Sequence, residues 1–263
     1  MSGGIGDDPF WNETTAGDND FERPIDMMGD MGGNGNGGAQ NTNLPDSGVD
    51  MIGDLAASAP APAPSPSDFH LVEKGDYFDL VKKVPSLRRI MIGAGWDHKM
   101  LETTKIDVDL SCFLLDKQNQ TRVDEDFVFY NNESGCDGAV RHSGDSRTGA
   151  GDGDDESLFI DLNGLPFDVL RVMITLSIYN AAEAEQHLGM VRNIYLRVVN
   201  EEDGNEIVRL QMDESMLNGV AGMQVACLVR EGPKWYLEVL ENPVKGGLGA
   251  IATQYGIIVG AGA

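Results

Sequence analysis

Between Gly144 and Glu156 the chain reads G-D-S-R-T-G-A-G-D-G-D-D-E. Five carboxylates (Asp145, Asp152, Asp154, Asp155 and Glu156) fall within twelve residues, and Arg147 is the one basic side chain among them. Gly149, Ala150, Gly151 and Gly153 let the intervening backbone turn tightly. Like charges this close repel unless a cation stands among them. Oxygen ligands from a flexible loop, with neither His nor Cys, suit a hard ion, above all Ca2+. Asp107-Val108-Asp109 adds two carboxylates on one face of a strand pattern, and Asn131-Asn132 adds amide oxygens just after another. Taken singly, Asn131-Asn132 reads as a turn and the two Asp as solvent-facing; together with the loop they favour metal ligation.

Familiar calcium motifs do not account for the loop. Asp145 and Glu156 stand at positions 1 and 12 of an EF-hand window, but Arg147 and Gly149 occupy ligand positions and Ala150 replaces the turn glycine. The flanks read as strands, not helices. A calcium-binding β-roll needs a nonapeptide repeat, which is missing. Catalytic readings are weaker still. None of His70, His98, His142 and His187 sits in a motif that marks a general base, and G-x-S-x-G is absent. No phosphate loop of the G-x-x-x-x-G-K-[ST] type occurs. The expectation is a non-enzymatic protein, with a metal-dependent hydrolase using the same acidic site ranked last.

The elements that must position these groups follow from composition. Asp and Glu number 43 against 19 Lys and Arg, for a net charge of −24, which opposes nucleic-acid binding. Cys112, Cys136 and Cys227 are odd in number and widely spaced, so a reducing, cytoplasmic home is expected, and the first residues carry no secretory signal pattern. Residues 1–67 hold 12 of the 33 Gly and 7 of the 11 Pro. Such low hydrophobicity with one-signed charge predicts a disordered arm ending in an Ala-Pro spacer, 59–66. Within it, Ile25-Asp26-Met27-Met28-Gly29-Asp30 and Val49-Asp50-Met51-Ile52-Gly53-Asp54 repeat one pattern, suited to docking on a protein partner.

Residues 68–263 read as a mainly β domain. Strands are predicted at 89–96, 107–115, 127–130, 158–162, 169–179, 194–199, 206–212, 223–229 and 234–240, separated by Gly, Asn and Asp turns. This spacing predicts a two-sheet β-sandwich with one or two short helices, at 181–188 and 246–255.

Ordered segments over 71–263 resemble the TerD family of tellurium-resistance and stress-response proteins. They are Gly93-Ala94-Gly95-Trp96-Asp97, Asp107-Val108-Asp109-Leu110-Ser111 and Asp126-Phe127-Val128-Phe129-Tyr130-Asn131-Asn132, then the 144–156 loop. Val198-Val199-Asn200, Gly204-Asn205-Glu206-Ile207 and Gly246-Gly247-Leu248 follow. The resemblance implies a sandwich binding two Ca2+ ions at one end, with partners among other stress proteins, some at the inner membrane. The ligands carried over are Asp107, Asp109, Asn131, Asn132, Asp145, Asp154, Asp155 and Glu156, with backbone oxygens from Gly149 or Gly151; Asp97 is a ligand or a structural cap. Ser146 replaces the family's Asn, and the arm has no counterpart in short members. The function expected is a Ca2+-binding stress-response module, with an adaptor that recruits partners through its arm as the alternative.

Overall fold

The structure, a computed structural model, describes residues 69–98, 106–144 and 153–259. The arm 1–67 with its repeats, and Asp145, Ser146, Gly149 and Gly151 of the acidic loop, lie outside them. Thirteen described strands form two sheets. In chain order these are β1 (His70–Val72), β2 (Tyr77–Asp79), β3 (Arg89–His98), β4 (Val108–Leu115), β5 (Phe127–Val128), β6 (Ser134–Gly135) and β7 (Val140–His142). β8 (Glu156–Asp161), β9 (Arg171–Ile178), β10 (Val191–Asn200), β11 (Glu206–Gln211), β12 (Gly222–Glu231) and β13 (Lys234–Val244) follow.

Seven strands run in the order β1-β11-β10-β3-β8-β7-β6, and six in the order β2-β13-β12-β9-β4-β5. Alternation dictates the packing. Ile90, Ile92, Ala94 and Trp96 of β3 turn inward with Val108, Leu110, Cys112 and Leu114 of β4 and Val172, Ile174 and Leu176 of β9, and all join the core between the sheets. The two-sheet sandwich is therefore as the hydrophobic pattern predicts.

Among the described residues two short α-helices join the sheets: α1 (Leu80–Lys83), N-capped by Asp79, and α2 (Gly247–Gln254). The second was predicted. The helix predicted at 181–188 does not form. Asn180 and Glu185 take left-handed φ values of 49° and 52°, the segment is a run of turns, and Leu188 donates its N–H to the Val220 carbonyl. Pinning to the sheet overrides helix propensity here. The strand predicted at 127–130 stops at Val128, because Phe129 and Asn132 exchange both backbone hydrogen bonds across a tight turn. No helix among the described residues is long and apolar enough to cross a membrane.

Candidate cation site at one end of the sandwich

β3 ends, β4 begins and β8 begins at the same end, so the acidic groups gather there in two sets, one on each sheet. Asp154, Asp155 and Glu156 lead into β8 beside Asp97 of β3. Each of the three consecutive carboxylates goes in a different direction.

Asp154 lies on the outer face of the seven-stranded sheet. Arg197 Nε donates to its Oδ1 at 2.8 Å and Oδ2 at 3.0 Å, Arg197 Nη2 donates to Oδ2 at 2.8 Å, and the Tyr195 hydroxyl donates to Oδ1 at 2.9 Å. This placement requires glycine beneath it: a Cβ on Gly93 would stand 2.1 Å from Asp154 Oδ2, and one on Gly95 would stand 2.5 Å from the Tyr195 ring. Arg197 also meets Glu206 at 3.2 Å, and Glu206 takes Arg209 Nε at 2.6 Å. Burial pushes the Tyr195 phenol upward and Asp154 adds to it. Burial raises the Glu206 carboxyl too, but Arg209 and Arg197 outweigh it and hold it below the usual range.

Asp155 continues the ladder toward β3: its N–H donates to the Ala94 carbonyl and its Oδ2 accepts the Trp96 N–H, both at 2.8 Å. Burial holds its carboxyl above the ordinary range; the Trp96 N–H and His98 pull it down, while Asp154 and Asp97 push it up. Asp97 itself accepts from Asn193 Nδ2 at 2.5 Å.

Glu156 turns inward and ties the sheets together. Its Oε2 accepts the Leu110 N–H of β4 at 2.7 Å and stands 3.4 Å from His142 Nε2. His142 Nε2 lies 2.8 Å from the Leu110 carbonyl, and Nδ1 accepts the Gly144 N–H at 3.0 Å. A ring that accepts at Nδ1 carries its hydrogen on Nε2, directed at Leu110. β5 has ended at this level, so Glu156 and His142 satisfy the strand-edge groups that a neighbouring strand would otherwise pair.

Asp107 and Asp109 share the outer face of the six-stranded sheet, as the alternation predicts, yet Asp109 is only 3% exposed and does not face water. Ser177 stands directly across from it in β9. The Ser177 hydroxyl is buried and, among the described residues, has no hydrogen-bond partner. Asn131 is exposed at the tip of the Phe129–Asn132 turn. Asn132 builds that turn, its Nδ2 donating to the Phe127 carbonyl at 2.6 Å and the Glu125 carbonyl at 3.3 Å.

A hard cation would need oxygen donors at this end, and the residues fit it in part. The buried Ser177 hydroxyl beside a buried Asp109 is a donor pair of the right chemistry, and Asp155 sits where carboxylates repel. Both Asp154 oxygens, by contrast, are already taken by a guanidinium and a phenol. Among the described residues no three His, Cys, Asp or Glu side chains gather as a ready-made metal centre. Asp154 and Glu156 are thus not brought onto a common point with Asp107 and Asp109. The partners that sequence reasoning missed, Arg197, Tyr195 and His142, lie 43, 41 and 14 residues from the acids they meet. The His142 spacing to Glu156, both inward-facing on neighbouring strands, was the one signal that could have pointed to a pair.

Fold and site together define an acidic-ended β-sandwich whose loops are staked by charged and polar groups from both sheets. The TerD domain model matches residues 70–255, and the chain belongs to that family. It is 37% identical over 186 residues to the tellurium resistance protein TerD of Serratia marcescens, covering 71% of this chain and 96% of that protein. General stress protein 16U of Bacillus subtilis is 37% identical over 188 residues, covering 71% and 97%. A crystal structure of a TerD homologue from Streptomyces coelicolor A3(2) shares the fold, with a TM-score of 0.52, 19% identity and coverage of 64% of this chain and 96% of that one.

Proposed function

We propose that this TerD-family protein is a non-enzymatic Ca2+-binding module of a cytoplasmic stress response. The observation that carries the reading is buried Asp109 standing across the strand register from the buried Ser177 hydroxyl, which has no hydrogen-bond partner among the described residues, two hard oxygens withdrawn from water. Asp107 and Asp109 would hold one ion from the six-stranded sheet, and Asp155 with loop oxygens, Asp145 among them, a second from the seven-stranded sheet. Asn131 stands at the rim to complete the first. Bound Ca2+ supplies positive charge that relieves carboxylate repulsion and orders the loops. Binding then raises stability by mass action, since unfolding scatters the ligands. The relatives' names, tellurium resistance and general stress protein, support the stress role. The arm 1–67, with its two Met- and Asp-containing repeats, recruits protein partners, with assembly at the inner membrane as one setting.

Calorimetric Ca2+ titration and thermal melts with and without EDTA test this. Binding heat and a melting temperature that rises with Ca2+ are expected. No heat, with an unchanged melting temperature in excess Ca2+, would falsify it.

A further inference from the structure

The D-D-E triplet would supply three ligands in a row if all its carboxylates faced a metal. Two of them are occupied otherwise. Asp154 receives three guanidinium contacts and one hydroxyl, which fills the roughly four acceptor positions of a carboxylate. A cation placed on it would meet the Arg197 charge at close range. The clamp is itself braced: Arg197 leans on Glu206, Glu206 on Arg209, and the Arg209 guanidinium lies 4.5 Å from the Tyr195 ring centroid and 5.6 Å from that of Phe69. Gly93 and Gly95 provide the floor on which acid and ring rest. Fixed donors, a planar fork and cleared space amount to a built seat for one carboxylate.

We propose that Arg197 and Tyr195 are positioning residues that seat Asp154 as the anchor of the acidic loop, so that Asp154 is a structural stake and not a cation ligand. The anchor fixes the turn from which Asp155 reaches the Trp96 N–H, and so sets where the next carboxylate stands. His142 fixes the other margin, accepting the Gly144 N–H. Both margins are thereby held from the seven-stranded sheet, while Glu156 bonds Leu110 of the six-stranded sheet just beyond Asp155. This rests on the calcium reading for its consequence in binding, but the seat exists without an ion.

The test is a double-mutant cycle on the full chain with Asp154→Asn, Arg197→Gln and both together, plus Tyr195→Phe as the mildest variant. Two readouts are taken: Ca2+ affinity by calorimetry, and amide hydrogen exchange at Asp155 and Trp96 without Ca2+. An anchor predicts that each single change weakens Ca2+ about tenfold, the usual scale for a residue that orients a ligand. The double variant is then no worse than either single one. Exchange at Asp155 and Trp96 speeds up in all variants, least in Tyr195→Phe. A ligand role predicts the opposite sign at Arg197: removing the competing charge would tighten Ca2+ while Asp154→Asn weakens it, and that result overturns the proposal. If the parent binds no Ca2+, the calcium reading fails alone and hydrogen exchange still decides: unchanged exchange in every variant also overturns the anchor.

Discussion

The two outer faces of the sandwich solve the same problem by opposite means. On the six-stranded sheet, Phe113, Leu115, Met173, Cys227 and Val229 point away from the core and are covered by Ile251, Ala252 and Tyr255 of the α2 region. Phe113, Phe127 and Phe129 stack in series, with centroids 4.4 and 4.2 Å apart. On the seven-stranded sheet, among the described residues, no α-helix packs on β3 and β10 around Gly93, Gly95, Tyr195 and Arg197; an ion-pair chain from Asp154 through Arg197 and Glu206 to Arg209 covers them. Each face depends on glycine for close approach. Gly93 makes room for a carboxylate, and a Cβ on Gly222 would stand 3.0 Å from Gly247 Cα at the head of α2. A helix seals by area, which no solute titrates. An ion-pair face is sensitive to pH and salt, and it is the one attached to the acidic loop.

The largest loss is expected on the apolar face. Ile251 is fully buried, and Ile251→Ala should cost about 2–5 kcal/mol, read from denaturant melts, with no dependence on salt. Gly93→Ala comes next, at about 1–3 kcal/mol, because the new methyl displaces the Asp154 carboxylate from its seat. An unaltered stability there would mean that the clamp is looser than its distances.

Glu206→Gln should cost about 1–3 kcal/mol at neutral pH, since it leaves two guanidinium groups short of a partner. The folded carboxyl is held below its ordinary value of 4.5, so its stabilisation is complete above that value and disappears as pH falls through the lower folded one. Melts of parent and variant should therefore converge in acid. The smallest effect is salt: 1 M NaCl should shrink the Glu206→Gln difference by under about 1 kcal/mol and leave that of Ile251→Ala unchanged. Equal salt responses would erase the distinction between the faces.

The sequence made the sheets legible because each strand carries its own apolar alternation, as at Ile106, Val108 and Leu110, and that pattern survives any arrangement of neighbours. It also placed α2 by its small and apolar run before Tyr255. It misread 181–188, where Ala and Glu favour a helix but two left-handed residues and the Leu188 contact to Val220 hold a turn. The acidic loop was legible as a charge cluster, and the paired Asp107 and Asp109 as one face. What each acid touches was not. Asp154 and Arg197 are joined only when β10 lies beside β3, and Glu156 reaches Leu110 only when the sheets stack. Pairings made by topology leave no local trace in composition or spacing.

The hydrogen bond from Trp96 to Asp155 equips the protein with its own optical probe. The Trp96 indole is 4% exposed, at the acidic end, one covalent step from the amide that Asp155 grips. Trp235 is equally buried at the opposite end, under the Arg230 guanidinium at 5.2 Å. Ultraviolet emission from the first should shift when the acidic rim rearranges, while the second stays constant as an internal reference. Because the chain also carries Trp11, a Trp11→Phe/Trp235→Phe double variant would isolate the rim signal without adding a dye.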